Sequence, residues 1–188
     1  MHLKGALHVH TSCSDGELSL AQTLAAHEAM GFDFVALTDH DFLMKKGCYD
    51  ELGRISTELI VFTGVEMMVF AHGYVHINRI EGEKELLHIF NHPTEMGLPV
   101  DKAVARILEV GKSLPLDAVE ITTRGFYTPE YDIPQIPFSK VATDDSHGRH
   151  MIGRAWVEMD CARNKDAIIR AIKNDDFWNC FAGNGRQS

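Results

Sequence analysis

The sequence predicts an α/β protein with mostly parallel strands, and three observations lead there. Short apolar runs alternate with amphipathic stretches along the chain. Most apolar runs stop at a cluster of histidines or carboxylates rather than at a plain turn. No internal repeat, low-complexity segment or linker breaks the order, so residues 1–188 read as one domain.

Residues 4–9 read as a first strand, followed by the turn-like "TSCSDG". "LSLAQTLAAHEAMG" reads as an amphipathic helix from Ser19 to Met30, with Ser19 as its cap and Gly31 placed to end it. "FDFVALTDHD" is a second buried strand with a polar end, and a helix is expected over 48–58. "LIVFTGVE" is a third strand, ending at Glu66. "MVFAHGYVHINRI" reads as one further strand with Gly73 as a bulge or bend, and "ELLHIFNHP" as another that ends at His92. "PVDKAVARILEVGKS" is helical, with Pro99 in its first turn. "PLDAVEIT" is a strand, "RGFYTPEYDIPQIPFS" a loop, and "KVATDDSH" a strand with a polar end. "RAWVEMD" is a short strand and "NKDAIIRAIKND" a helix. The tail "FWNCFAGNGRQS" is expected to add a last strand and then fray.

Composition narrows the function. The chain has 188 residues, 45% of them hydrophobic, which suits one domain with a proper core. Its 27 acidic and 18 basic residues give a net charge of −9 with histidine neutral, which disfavours nonspecific nucleic-acid binding. The four cysteines, Cys13, Cys48, Cys161 and Cys180, form no CxxC pair and no evident disulfide framework, so a reducing cytoplasm is the expected location. No signal-peptide h-region and no bilayer-length apolar run is evident.

The eleven histidines are placed unevenly, several at the ends of apolar runs. His8 and His10 lie two apart on a strand and so project to one face, where two neutral imidazoles can bind one divalent metal. The following turn lets Asp15 fold back toward them. The later clusters "TDH", "GVE", "YVHI", "NHP" and "TDDSH" have the same character. In a barrel of parallel strands the C-terminal ends share one mouth. His8, His10, Asp15, His40, Glu66, His76, His92, Asp145 and His147 would then meet in space. Buried carboxylates need compensation, and divalent cations supply it. The mixed imidazole and carboxylate set suits Zn, Mn or Fe better than an all-oxygen or thiolate site would. His72 lies on the same strand face as His76 and is the alternative to it.

The pieces "HVHTSCSDG", "LTDHD", "GVE", "YVHIN", "NHP" and "TDDSH", followed by "IGRAWVEM", resemble the PHP family, named for polymerase and histidinol phosphatase domains. They occur in the family's order, over roughly residues 5 to 160. The resemblance implies a distorted (β/α)7 barrel with a metal cluster, commonly of three ions, at its mouth. It implies phosphoester hydrolysis, as in most single-domain members. By position it groups His8, His10, Glu66 and Asp145 at one ion, Asp15, His40 and His147 at a second, and Glu66, His76 and His92 at a third. Asp144 is expected to support the ligands rather than to be one.

The expected activity is therefore hydrolysis of a phosphate ester of a small molecule, such as a nucleotide, sugar phosphate or histidinol phosphate-like compound. Water bound to a divalent cation loses its proton near pH 7 instead of near about 16, which makes it the expected nucleophile. No GxSxG elbow or P-loop offers another route. Asp15, His40, His147 and Arg124 are the expected catalytic residues, with Arg149 and Arg154 as further phosphate-binding candidates. Phe126 and Tyr127 are candidates to stack on a ring. Two alternatives stand beside this reading: a metallohydrolase acting on a C–N bond, and a non-catalytic metal-stabilised module serving a partner. The sequence leaves substrate identity, metal identity and oligomeric state open.

Overall fold

The computed structural model describes residues 1–183 and the backbone of residues 185–187. Seven strands form a ring: β1 (His2–Val9), β2 (Phe34–Leu37), β3 (Ile60–Phe70), β4 (Tyr74–Glu81), β5 (Leu86–Phe90), β6 (Ala118–Glu120) and β9 (Ser139–Val141). They are hydrogen-bonded in that order, and the ring closes beyond β9. There His10 N donates to Ser146 O at 3.0 Å, and Ser146 N to His8 O at 3.3 Å. Only the second half of β1 takes part in that closure. Its first half pairs with β10 (Ala155–Asp160), which continues the sheet into β11 (Trp178–Phe181) and β12 (Gly185–Gln187). Asn179 of β11 fills the seam, its Nδ2 donating to Lys140 O at 2.8 Å and its Oδ1 accepting from Ala142 N at 2.7 Å. The result is the expected distorted barrel.

Even-numbered residues of β2, β3 and β4 face the interior. Phe34, Ala36, Phe62 and Ile80 pack there with Leu7, Leu87, Ile89 and Ala118. The helix α3 (Lys165–Lys173), capped by Asn164, adds Ile168, Ile169 and Ile172 and closes that end. Outside the ring, α1 (Leu20–Ala29) packs Leu20 and Leu24 against Ala6, Val9, Val35 and Leu37. Ser19 caps α1, as the sequence predicts, and Gln22 completes a capping box. The helix α2 (Val100–Ser113) covers β4, β5 and β6 through Ala103, Ile107 and Val110.

Several expectations need correction. The sheet is mixed: β3–β4, β4–β5, β1–β10, β10–β11 and β11–β12 are antiparallel. The apolar stretch expected as one strand is instead the end of β3 and the start of β4. His72 and Gly73 have φ of 53° and 136°, so the chain reverses there rather than bulging. The expected helix over 48–58 is a 3₁₀ segment, Cys48–Arg54. Pro99 is the N-cap of α2 rather than its first turn. The loop before β9 contains a small hairpin of β7 (Thr122–Thr123) and β8 (Phe126–Tyr127). The tail does not fray after β11, because the backbone of 185–187 pairs with it.

The cysteine reading also changes. Cys13 and Cys48 are joined by a disulfide with Cα atoms 5.7 Å apart. Lys45 draws the segment before Cys48 onto the first loop, its N donating to Cys13 O at 2.8 Å and its Nζ to Ser12 O at 2.5 Å. A separation of 35 residues carries no local sign of that approach. Among the described residues no helix is long and apolar enough to cross a membrane.

Candidate metal centre

The barrel mouth brings all nine sequence-predicted ligand residues to one place, with Glu66 at the centre, although Glu66 lies within β3 rather than at its end and His76 near the start of the antiparallel β4. Its buried carboxylate lies 2.8 Å from His40 Nδ1, 3.0 Å from His92 Nε2, 3.1 Å from His76 Nδ1, 3.3 Å from His10 Nε2 and 3.4 Å from His8 Nε2. Asp145 Oδ1 is 3.3 Å from both His8 Nε2 and His10 Nε2, and 3.5 Å from His147 Nδ1. Asp15, more open to solvent, is 3.4 Å from His10 Nδ1 and 3.5 Å from both His40 Nε2 and His147 Nε2.

Local geometry explains how neighbouring residues reach this point. Leu7 packs in the barrel interior, yet His8 beside it also faces the cluster. The register slips between Ala6 and Val9 relative to β2, a bulge that resets the strand's phase. His92 and Asp145 are held at φ of 25° and 46°, a strained region that the surrounding contacts must enforce. Gly16 lets the Asp15 turn close, because a Cβ there would lie 2.7 Å from His10 C and O.

A set of buried residues outside the predicted list orients the ligands. Glu120 accepts from His8 Nδ1 at 2.7 Å, Thr143 Oγ1 at 2.6 Å and His92 N at 2.7 Å. That contact puts the His8 proton on Nδ1 and leaves the Nε2 lone pair facing Glu66 and Asp145. Asn91 Nδ2 donates to Glu66 Oε1 at 2.8 Å and to Asn78 Oδ1 at 2.9 Å. Asp39 anchors the loop before Asp15 by accepting from Thr11 N and Oγ1, Ser14 N and Oγ, and Tyr49 Oη. Asp144 accepts from Gly153 N at 2.7 Å, a supporting rather than a ligating contact. Sequence reasoning missed Glu120, Asp39, Asn91 and Glu95. The available signs were an acid inside the apolar run "DAVEIT" and the residue before the histidine in "LTDHD".

His76, and not His72, belongs to the cluster. His72 sits exposed at the hairpin turn, 3.1 Å from Glu109 Oε1. Arg124 lies at the rim, its Nε 3.7 Å from Glu95 Oε1, while Glu95 Oε2 is 3.4 Å from His92 Nδ1. Arg154 is beside it, over the Phe126 ring at 5.5 Å and donating to Arg124 O. His27 and His88 are buried away from the cluster.

The residues fit a metal ion on three grounds. Their donor atoms form four groups, each within 4.8 Å: His10, Asp15, His40 and His147; His8, His10 and Glu66; His8, His92 and Asp145; and His40, Glu66 and His76. Several close contacts lack hydrogen-bond geometry. His40 Nδ1 and His76 Nδ1 lie near Glu66, and Asp145 Oδ1 near two imidazoles, yet none of these buried atoms has a hydrogen-bond partner. Such atoms aim at a common point instead of at one another.

Electrostatics agree. Burial opposes charge on His8, but Asp145, Glu120 and Glu66 override it and raise its pKa well above the ordinary value. His10 is likewise raised to about 10, against burial, by Asp145, Asp15 and Glu66. Burial would raise the Glu66 pKa, but the imidazoles hold it far below the carboxylate range. The carboxylates thus demand positive charge at this point, and divalent cations can supply it with the imidazoles neutral.

No family model and no curated protein matches the chain. Solved structures do. A two-domain protein from Bacteroides vulgatus containing a predicted PHP-like metal-dependent phosphoesterase aligns with a TM-score of 0.69 at 19% identity, over 96% of this chain and 65% of its own. The chain thus spans less than two thirds of that protein. An amidohydrolase from Chromobacterium violaceum, with bound sulfate and no metal, aligns with a TM-score of 0.64 at 12% identity, over 77% of this chain and 87% of its own. A protein from Bifidobacterium adolescentis, proposed as a metal-dependent phosphoesterase, aligns with a TM-score of 0.54 at 14% identity, over 77% of this chain and 88% of its own. The chain has the barrel fold of these PHP-like and amidohydrolase structures.

Proposed function

We propose that the chain is a PHP-type, metal-dependent phosphoesterase that hydrolyses a phosphate ester of a small molecule. One observation carries the reading: a single buried carboxylate, Glu66, has ring nitrogens of five imidazoles within 3.4 Å, and two of them, His40 Nδ1 and His76 Nδ1, have no hydrogen-bond partner. His8, His10, Glu66 and Asp145 would hold one ion, Asp15, His40 and His147 a second, and Glu66, His76 and His92 a third. Zn, Mn or Fe suits this donor set. Bound there, such ions would supply Lewis acidity and lower the pKa of coordinated water.

The chain's own residues do the rest. Glu120 fixes the His8 tautomer, and Asn91 holds Glu66 in one rotamer. Arg124, whose Nε lies 3.7 Å from Glu95 Oε1 at the rim, and Arg154, which donates to Arg124 O, are the groups that would take phosphate oxygens. Asp15, His40 and His147 line the more solvent-open side of the cluster. They and Arg124 are the residues we assign to catalysis. The net charge of −9 favours a small phosphorylated substrate over a long polyanion. We take residues 1–188 as one catalytic domain. A cytoplasmic location belongs to the same reading, and the Cys13–Cys48 disulfide weighs against it.

Phosphate release from a panel of nucleotides and sugar phosphates, with Mn or Zn added, tests the proposal. Turnover of at least one ester that chelator abolishes is expected. A metal-filled protein inert on the whole panel overturns it. The likeness to an amidohydrolase supports a second reading, the same cluster acting on a C–N bond, and an amide and deamination panel separates the two.

A further inference from the structure

The β3–β4 hairpin continues past the metal cluster and carries an apolar face that stays exposed among the described residues. Pairing across it is Glu66 with Asn78, Met68 with His76, and Phe70 with Tyr74. Directly opposed residues share a face, and successive even positions stay on it. The face that begins with Glu66 and His76 at the cluster therefore ends with Met68, Phe70 and Tyr74 above it. The opposite face is already used, because Met67, Val69, Val75 and Ile77 pack in the cluster that contains α2. Met68, Phe70 and Tyr74 are 40%, 71% and 65% exposed, an uncommon state for three large apolar side chains in succession.

Two further observations connect this face to the site. Tyr74 lines a cleft of about 110 Å³ together with His76, His92, Glu95 and Met96, so the cleft runs from the hairpin to the cluster. Phe70 and Tyr74 meet edge to face with ring centres 5.4 Å apart, which presents a stable aromatic surface. A strand rises about 3.4 Å per residue, so Met68 stands about 7 Å and Phe70 about 14 Å along the strand from Glu66.

We propose that Met68, Phe70 and Tyr74 form the specificity wall of the site, and that its substrate is a phosphate ester whose alcohol part carries a flat apolar ring a few bonds from phosphorus. The inference rests on the phosphoesterase reading for its chemistry, but the wall itself can be tested by binding. The wall makes no demand on the phosphate, which the cluster and the rim arginines hold.

The experiment compares two non-hydrolysable probes, 4-phenylbutylphosphonate, whose longer chain lets the ring reach toward Phe70 and Tyr74, and butylphosphonate, by calorimetry on the Mn-loaded protein. The phenyl compound should bind at least tenfold more tightly. The Phe70→Ser/Tyr74→Ser double variant should lose most of that ratio while holding as much metal as the parent. Each single variant, a smaller change at an exposed position, should lose part of it. Equal affinities in the parent, or a ratio intact in the double variant, overturn the wall. An intact ratio with a changed oligomeric state would assign the hairpin to contact between chains instead and also overturn it. If the ratio behaves as expected but neither 4-phenylbutyl phosphate nor butyl phosphate releases phosphate, the wall stands and the phosphoesterase reading falls.

Discussion

Replacing Glu120 by Gln tests the idea that a buried acid, absent from the predicted ligand set, controls the metal centre. Glu120 Oε1 accepts from both His8 Nδ1 and Thr143 Oγ1, and Oε2 accepts from His92 N. A glutamine has one acceptor oxygen to offer. If its NH₂ takes the Oε1 position, Thr143 can turn and accept, but His8 must then accept at Nδ1 and carry its proton on Nε2. That proton points at Glu66 and Asp145, and His8 stops being a ligand. If the NH₂ takes the Oε2 position it opposes the His92 N–H, and a buried donor is orphaned at a cost of about 1–3 kcal/mol. The first arrangement satisfies more groups, so metal affinity should fall by about 10- to 100-fold, the usual effect of losing such a partner. Competition with a fluorescent chelator measures this directly. Thr143→Val is the control: it removes one donor to Glu120 without changing the His8 tautomer, so it should lower the melting temperature far more than the metal affinity. A Glu120→Gln protein with parent affinity and parent stability would refute the reasoning.

Other outcomes follow from the same structure. His76→Ala should lose part of the bound metal, whereas His72→Ala should retain all of it by elemental analysis. Gly16→Ala forces the Asp15 turn away from His10, so activity should drop at least tenfold with little change in fold by circular dichroism. His27 is buried, and burial lowers its pKa from the ordinary imidazole value of about 6.5 to about 4. The unfolded chain therefore takes up the proton first as pH falls. Stability should be full above about pH 6.5, decline toward pH 4 and level off about 3 kcal/mol lower. His27→Leu should remove that fraction of the acid sensitivity in urea titrations at several pH values. Breaking Cys13–Cys48 with a reductant opens a long loop and should cost about 3–4 kcal/mol of stability, read as a lower urea midpoint.

The convergence of these histidines and carboxylates was legible because metal chemistry restricts residue type and most of them stand beside apolar strand runs. His8 with His10, and Asp145 with His147, show two-residue spacing in the sequence itself. The supporting residues were not legible, since Glu120 and Asn91 act through partners 112 and 25 residues away, which no local pattern records. The helix α1 was readable from its Ser19 cap and from Leu20 and Leu24 one turn apart. The hairpin at 71–73 was not, because "MVFAHGYVHI" is rich enough in apolar and strand-favouring residues to pass for one strand. The structure shows the chain turning back there, with positive φ at His72 and Gly73 and Phe70 paired with Tyr74 across the turn. The mixed direction of the sheet comes from the tight β3–β4 and β4–β5 connections, and from β10, which runs antiparallel to β1 and reaches the antiparallel β11 through α3. The disulfide joins two loops brought together by tertiary contacts, so cysteine spacing alone had no means of indicating it.

The central claim is that imidazoles and carboxylates far apart in sequence share divalent ions at the barrel mouth. Anomalous diffraction from crystals of protein purified without chelator measures this most directly. The account predicts peaks within about 2.5 Å of the Glu66 carboxylate and of the His8, His40 and His76 nitrogens that face it. Data collected at the Mn, Fe and Zn edges, with well-ordered side chains and no peak near Glu66, would contradict it.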